Sequence, residues 1–170
     1  MTFDGATLIV PDRVYYSVWA IGLAMRRPGD TAVVAACLGS RSHNGYVRQR
    51  SIERLLQVYR PWAVPYLVEA LGDYVLEILQ VLQGQIPGSH EQDFAEYLIA
   101  NEARFIYLSR RCVSYWKAFD GEQIIVRPIF SRWLSYPGAQ LITELTDAAR
   151  LLAPTFGAEL RNVLPRRRGH

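Results

Sequence analysis

The chain has almost no lysine: Lys117 is the only one, and every other basic side chain among its 170 residues is arginine. A phosphate-binding loop of the Walker type needs a lysine behind a glycine-rich turn. The polar stretch "GSRSHNG", Gly39 to Gly45, has neither that lysine nor a strand before it. Cysteine is as scarce, with only Cys37 and Cys112, far apart in the chain. That excludes a disulfide scaffold and leaves two buried free thiols as the expectation. No two of the three histidines, His43, His90 and His170, stand four residues apart, so helical zinc spacing is missing. Long apolar runs are absent too. The longest, "VYYSVWAIGLAM" from Val14 to Met25, is about twelve residues against roughly twenty needed to cross a bilayer. The opening "MTFDGATLIVPDR" carries Asp4 and no basic region, unlike a secretory signal. These absences lead to the expectation of a cytoplasmic protein with no membrane span, no metal and no cofactor.

What is present is globular in balance. Hydrophobic residues make up 50% and charged residues 21%, with a net charge of +3. A chain of this length buries roughly 70% of its unfolded surface on folding, enough for one domain with a sizeable core. Four Trp, ten Tyr and six Phe call for a large core or an adhesive face. Arginine in place of lysine offers planar bidentate bonding and stacking on rings. Genomic base composition explains the same bias more simply.

Nearly every segment reads as helix. Pro11-Asp12 suits a first helical turn, and "RRPGD" at Arg26 to Asp30 stops that helix. Asp30 caps "TAVVAACL", which ends at Gly39. From Tyr46, Val47, Ile52, Leu55, Leu56 and Tyr59 share a face, with a Glu53–Arg50 pair expected on the exposed side. Further helices are predicted over 62–71 and 74–83, before the loop "QGQIPGSHEQ". Ser89 and Gln92 form a capping-box pattern, with Glu91, Asp93 and Glu96 at the positive end of the helix that follows. The stripe Phe94, Leu98, Phe105, Leu108, Cys112 and Tyr115 predicts one long helix over 90–117. "EQIIVRPIFSRWL" is ambiguous at Ile124 to Val126 and helical from Pro128 to Ser135. An amphipathic helix through Leu141, Leu145, Ala148 and Leu152 follows, then a short one over 155–163.

Two stretches align. "AVVAACLGSRSHNGYVRQ" and "AVPYLVEALGDYVLEI" each place Ala-Val at a helix start, a Leu-Gly exit, then an aromatic-Val pair opening the next helix. Tyr46 and Tyr74 are 28 residues apart (74 − 46). A helix pair cannot bury both faces alone, so repeated pairs stack. The run "NGYVRQRSIERLL…RPWAVPYLVEALGDYV" is similar to HEAT repeats, with Val47-Arg48 at the Val-Arg position, Ile52 and Leu55 inside, and Ala63, Val64, Leu67 and Leu71 on the partner helix. The resemblance covers residues 30–83. Leu76 stands where the first copy has Arg48, so a repeated Arg–Asp ladder is not implied. The expected fold is all-α, a short HEAT-like solenoid of about seven to eight helices in stacked antiparallel pairs. One domain is expected over 1–165, and a disordered basic tail over 166–170.

No motif carries obvious chemistry. The acidic group Glu91, Asp93 and Glu96 is better explained by the helix dipole than by acid–base work. The arginines and rings give the candidate binding residues: Arg48, Trp62, Tyr66, Arg104, Tyr107, Arg110, Arg111 and Trp116. Basic residues interleaved with aromatics suit phosphate contact and stacking, while a solvated helix back is the plainer explanation. The leading expectation is a module that binds a protein or peptide through an aromatic and arginine-lined groove, with a homodimer as a further option. The alternatives are nucleic-acid binding by the Arg-rich face, and an enzyme assembled from distant residues such as His43, Tyr46 and Asp73.

Overall fold

The computed structural model describes residues 1–85, 90–120 and 129–165. Helix accounts for 68% of the chain, and nine α-helices lie among the described residues. They are α1 (Val18–Ala24), α2 (Asp30–Gly39), α3 (Gly45–Gln57), α4 (Val64–Glu69), α5 (Leu76–Leu82), α6 (Glu91–Ala100), α7 (Glu102–Asp120), α8 (Ile129–Leu134) and α9 (Pro137–Leu152). Short 3₁₀ turns sit at Pro61–Ala63, Ala70–Gly72 and Ala158–Asn162. The expected final helix over 155–163 is therefore a 3₁₀ turn. The Ser89 cap, the Ile124–Val126 stretch and the basic tail lie outside the described residues.

The N-terminal segment departs from the helical expectation. β1 (Thr2–Phe3) and β2 (Ala6–Thr7) form an antiparallel hairpin pairing Thr2 with Thr7 and Phe3 with Ala6. Asp4 and Gly5 both have positive φ, the backbone a tight two-residue hairpin requires. Pro11-Asp12 does not open a helix either. Val14 N–H donates to the Arg41 carbonyl at 2.8 Å, and His43 N–H donates to the Val14 carbonyl at 3.1 Å. Those bonds hold the segment extended, and α1 starts only at Val18.

α3 begins where its sequence indicates. The Asn44 side chain accepts from Tyr46 N–H at 3.0 Å and Val47 N–H at 3.3 Å, satisfying two amides that have no partner within the helix. Glu53 accepts from Gln49 at 3.1 Å, in place of the Arg50 pairing.

The long helix expected over 90–117 is broken at Asn101. That residue leaves helical geometry, with φ −132° and ψ 35°. Its side-chain oxygen accepts from Thr2 N–H at 2.7 Å, and its amide donates to the Thr2 carbonyl at 2.7 Å. An asparagine that can pair with a strand in this way competes with helix continuation. The apolar stripe continues into α7 because a short break preserves which face is inward.

α2 packs on α3, and α3 on α5. The two aligned stretches differ in form: the first is the single helix α2 before α3, and the second is split into a 3₁₀ turn, α4 and a further 3₁₀ turn before α5. Tyr46 and Tyr74 are both exposed, whereas Val47 is buried and Val75 packs against the core. Gly39 and Gly72 both sit at close approaches. A Cβ on Gly72 would lie 2.8 Å from Leu108, and one on Gly39 would collide with the Ser51 hydroxyl. From there the arrangement changes. α9 packs most extensively on α6 and also contacts α5 and α7, closing the core instead of adding to a sequential row.

Ile52, Leu55, Leu79, Leu98 and Leu141 are fully enclosed in one core cluster. Each contributes about 1.5–3 kcal/mol by burial. Trp116 and Trp133 meet edge-to-face at 5.1 Å, and Trp133 lies 5.9 Å from Tyr136. All three are buried, so part of the aromatic content fills the core. No helix among the described residues is long and apolar enough to cross a membrane.

Candidate functional site: an arginine–tyrosine groove

Helical spacing puts Arg104, Tyr107, Arg111 and Tyr115 on one side of α7, since residues three and four apart are neighbours. The Arg104 guanidinium lies 4.9 Å from the centre of the Tyr107 ring. Arg111 lies 5.9 Å from Tyr107 and 5.8 Å from Tyr115, and donates to the Tyr115 hydroxyl at 3.0 Å. Tyr115 meets Tyr74 edge-on at 6.1 Å, and Arg48 lies 5.2 Å from the Tyr74 ring. Rings and guanidinium groups thus alternate from α7 to the start of α5.

Two carboxylates hold this strip from beneath. Glu69, buried at the end of α4, accepts from Arg104 through both oxygens at 2.7 and 2.6 Å. These bonds raise the Arg104 pKa above the ordinary arginine value. Asp73 accepts from Arg48 at 2.7 and 3.0 Å and also from Val75 N–H at 3.0 Å. Arg48 is 0% exposed and spends its remaining donor on the carbonyls of Ser42 and His43, at 3.0 and 3.1 Å. Burial opposes its charge, but the bonds to Asp73 outweigh that and leave its pKa raised.

A third buried arginine fixes the N-terminal segment. Arg41 donates to the carbonyls of Pro11 at 2.9 Å and Asp12 at 3.0 Å. Burial lowers its pKa, while nearby Glu69 acts in the opposite direction. At the other end Asn101 grips Thr2, and the Tyr97 hydroxyl donates to the Met1 sulfur at 3.0 Å. Between these anchors the segment spans a cleft of about 640 Å³. Leu8, Ile9 and Val10 form one wall, Ala100 to Arg104 the other, and Tyr107 joins the cleft to the α7 strip. The cleft meets the α7 strip at Arg104 and Tyr107, and its lining mixes apolar Leu8, Ile9 and Val10 with polar Asp12, Asn101 and Glu102.

The sequence-predicted residues divide among five places. Arg104 and Tyr107 line the cleft, and Arg111 lies beyond them on the same strip of α7. Arg48 lies under it, sealed from solvent, bonded to Asp73 and the loop carbonyls beneath the Tyr74 ring. Trp62 and Tyr66 are half-buried against the core, and neither lines the cleft. Trp116 is core. Arg110 projects to another side of α7, into a shallow notch of about 270 Å³ with Ser114, Lys117 and Val163. Spacing and residue type did not mark Tyr115, Asn101 or the wall Leu8–Val10 as part of a site. Tyr115 was legible as the residue four beyond Arg111, but the cleft wall was not, because its partners lie some ninety residues away.

The Tyr59 hydroxyl donates to Asp93 at 2.8 Å and its ring stacks on His90 at 3.7 Å. Burial, then the Asp93 carboxylate, push its pKa well above the ordinary tyrosine range, so it stays protonated. Among the described residues no cluster of three His, Cys, Asp or Glu is placed to hold a metal. No protein-family model, curated protein or solved structure matches this chain.

Proposed function

We propose that the protein is a binding module that takes an acidic peptide segment of a protein partner along the α7 groove. One observation carries the reading. Among the described residues Arg111 has no carboxylate within salt-bridge distance, yet two tyrosine rings and a hydroxyl hold its guanidinium in place. A positioned cation without a counter-charge favours a ligand carboxylate, and its low freedom reduces the entropy lost on binding. On the far side of Tyr107 the cleft places Leu8, Ile9 and Ala103 beside Asp12 and Glu102, and its apolar part suits an apolar residue flanking that acid.

The same geometry weighs against nucleic acid. Arg48 and Arg104 are neutralised by Asp73 and Glu69. Arg110, Arg111 and Lys117 then remain as the cations on α7, fewer than the roughly 6–10 phosphate contacts of a salt-sensitive binder.

Panning a random peptide library against the full chain tests the proposal. Acidic peptides with an apolar neighbour should be enriched, and Arg111→Glu should weaken them by about tenfold or more. Peptides indifferent to Arg111→Glu, or salt-sensitive binding of a DNA oligomer alone, would count against it.

We also infer that residues 30–82 form two stacked pairs of HEAT type, α2–α3 and α4–α5. The matched tyrosines and glycines support this, as does the Arg48–Asp73 bond, which joins α3 to the turn between α4 and α5.

A further inference from the structure

We infer that the notch between the other side of α7 and the C-terminal 3₁₀ turn is a binding site for a single phosphoryl group. The inference is independent of the α7 groove, because none of the residues lining this notch lies in the cleft or on its strip. Arg110, Val113, Ser114 and Lys117 recur at steps of three and four residues, so they share one side of the helix. Asn162 and Val163 face them from the end of the 3₁₀ turn, and together the six enclose about 270 Å³.

Charge selects an anion as the occupant. Both ionised groups lining the notch are cations, and no carboxylate lines it. Among the described residues neither Arg110 nor Lys117 forms a salt bridge, whereas Arg48, Arg60 and Arg104 are each paired with an acid. Arg110 and Lys117 stand seven residues apart (117 − 110), about 10 Å along the helix axis, with Ser114 between them. Their long side chains can close on one ion from both ends, the guanidinium fork on two oxygens and the ammonium on a third. The Ser109 hydroxyl is spent on the Phe105 carbonyl at 2.9 Å, a common fate of serine inside a helix. Among the described residues Ser114 makes no such bond, and its hydroxyl is left to donate to the ion.

Size and rigidity narrow the class. The notch is smaller than the roughly 300–1,000 Å³ of sites for drug-sized ligands, so it suits one group rather than an extended molecule. A phosphoryl group carries about 1.5 to 2 negative charges at neutral pH, which matches two cations better than a carboxylate does. The far wall is fixed before any ligand arrives. Gly157 N–H donates to Glu102 at 2.8 Å, Phe156 stacks on Phe105 at 5.6 Å, and Leu160 is buried in the core.

Acetylation of the full chain tests this, because Lys117 is its only lysine. The rate at Lys117 is read by mass spectrometry against an unstructured lysine peptide in the same solution, at constant ionic strength. Inorganic phosphate should slow it, with half-protection on the order of 1 mM, and chloride should not. Arg110→Gln should raise the half-protecting concentration about tenfold or more, and Ser114→Ala by a smaller factor. Both side chains are exposed, so far-UV circular dichroism should be unchanged. A phosphoserine peptide that protects at a tenth of the phosphate concentration or less, while its unphosphorylated form does not, would assign the group to a protein. Equal or weaker protection by that peptide would assign it to free phosphate or a small ester. Equal rates in phosphate and chloride, or protection unmoved by Arg110→Gln, overturn the inference. Protection by a single-stranded DNA oligomer with none from phosphate overturns it in favour of a nucleic-acid backbone.

Discussion

Replacing Arg48 by methionine keeps most of the side-chain volume and removes the guanidinium, so its consequences can be worked out from the geometry. Asp73, buried at the turn before α5, loses both bonds from Arg48. It keeps only Val75 N–H. The carbonyls of Ser42 and His43 lose their donor as well. Breaking a buried pair on one side costs about 3–5 kcal/mol, mainly because the remaining charge is left without compensation. Against a total stability of about 5–15 kcal/mol, this is a large fraction. For a chain of this size it corresponds to a fall in Tm of about 6–20 °C. Removing Asp73 too should recover most of the loss, leaving about 1 kcal/mol for the Val75 amide. A double-mutant cycle of Arg48→Met and Asp73→Leu, followed by urea unfolding and far-UV circular dichroism, should therefore give a coupling of at least about 2 kcal/mol. Salt should barely alter that coupling, because the pair is enclosed. The exposed Arg60–Asp30 pair, at 3.2 Å, should contribute no more than about 1 kcal/mol. A loss under about 0.5 kcal/mol for Arg48→Met, or strictly additive single variants, would refute the reasoning.

Three further outcomes follow from the packing. Leu55, with no exposed surface, should cost about 2–5 kcal/mol on mutation to alanine, read from urea midpoints at constant slope. Glu69→Gln should release Arg104 at a cost of about 1–3 kcal/mol, and it should weaken peptide binding through a displaced Tyr107 while Arg111 stays in place. Burial pushes the Cys37 and Cys112 thiols up to about 12, so both should resist thiol reagents in the folded protein at mildly alkaline pH. The neutral thiol is favoured by folding, so that stability is present below the ordinary thiol range and is lost as pH rises from about 9 toward 12. Cys112→Ser unfolding across that interval should show a shallower alkaline decline than the parent chain.

Local chemistry made much of the fold legible. Asn44 before an apolar-periodic run marks the α3 start, and the breaks at Gly39 and Gly72 fall where the helices end. The Asp4-Gly5 turn was also present as a hairpin signal, but two-residue strands leave too short an alternation to register against the helical pattern around them. Asn101 was invisible for a different reason. Its effect depends on Thr2, and the apolar stripe through Phe94, Leu98, Phe105 and Leu108 continues across the break. Periodicity reports which side faces the core, and it does not report an interruption that preserves that side.

The groove shows the same division. Arg104, Tyr107 and Arg111 share a helical face, so their grouping follows from spacing alone. Arg48 and Trp116 looked equally suited to binding by residue type, yet burial removes both from contact. Nothing in a one-dimensional pattern distinguishes an arginine reserved for an internal carboxylate from one left for a ligand. That difference arises from Asp73 and Glu69, which tertiary packing brings to Arg48 and Arg104 and leaves away from Arg111.

Amide hydrogen exchange of the full chain, with and without a peptide selected on it, tests the groove most directly. The account expects new protection at Leu8 to Asp12 and around Ala100 to Arg104, with α5 and α9 unchanged, and no protection with the Arg111→Glu variant. Protection confined to α1 or α9, or a footprint that survives Arg111→Glu, would contradict it.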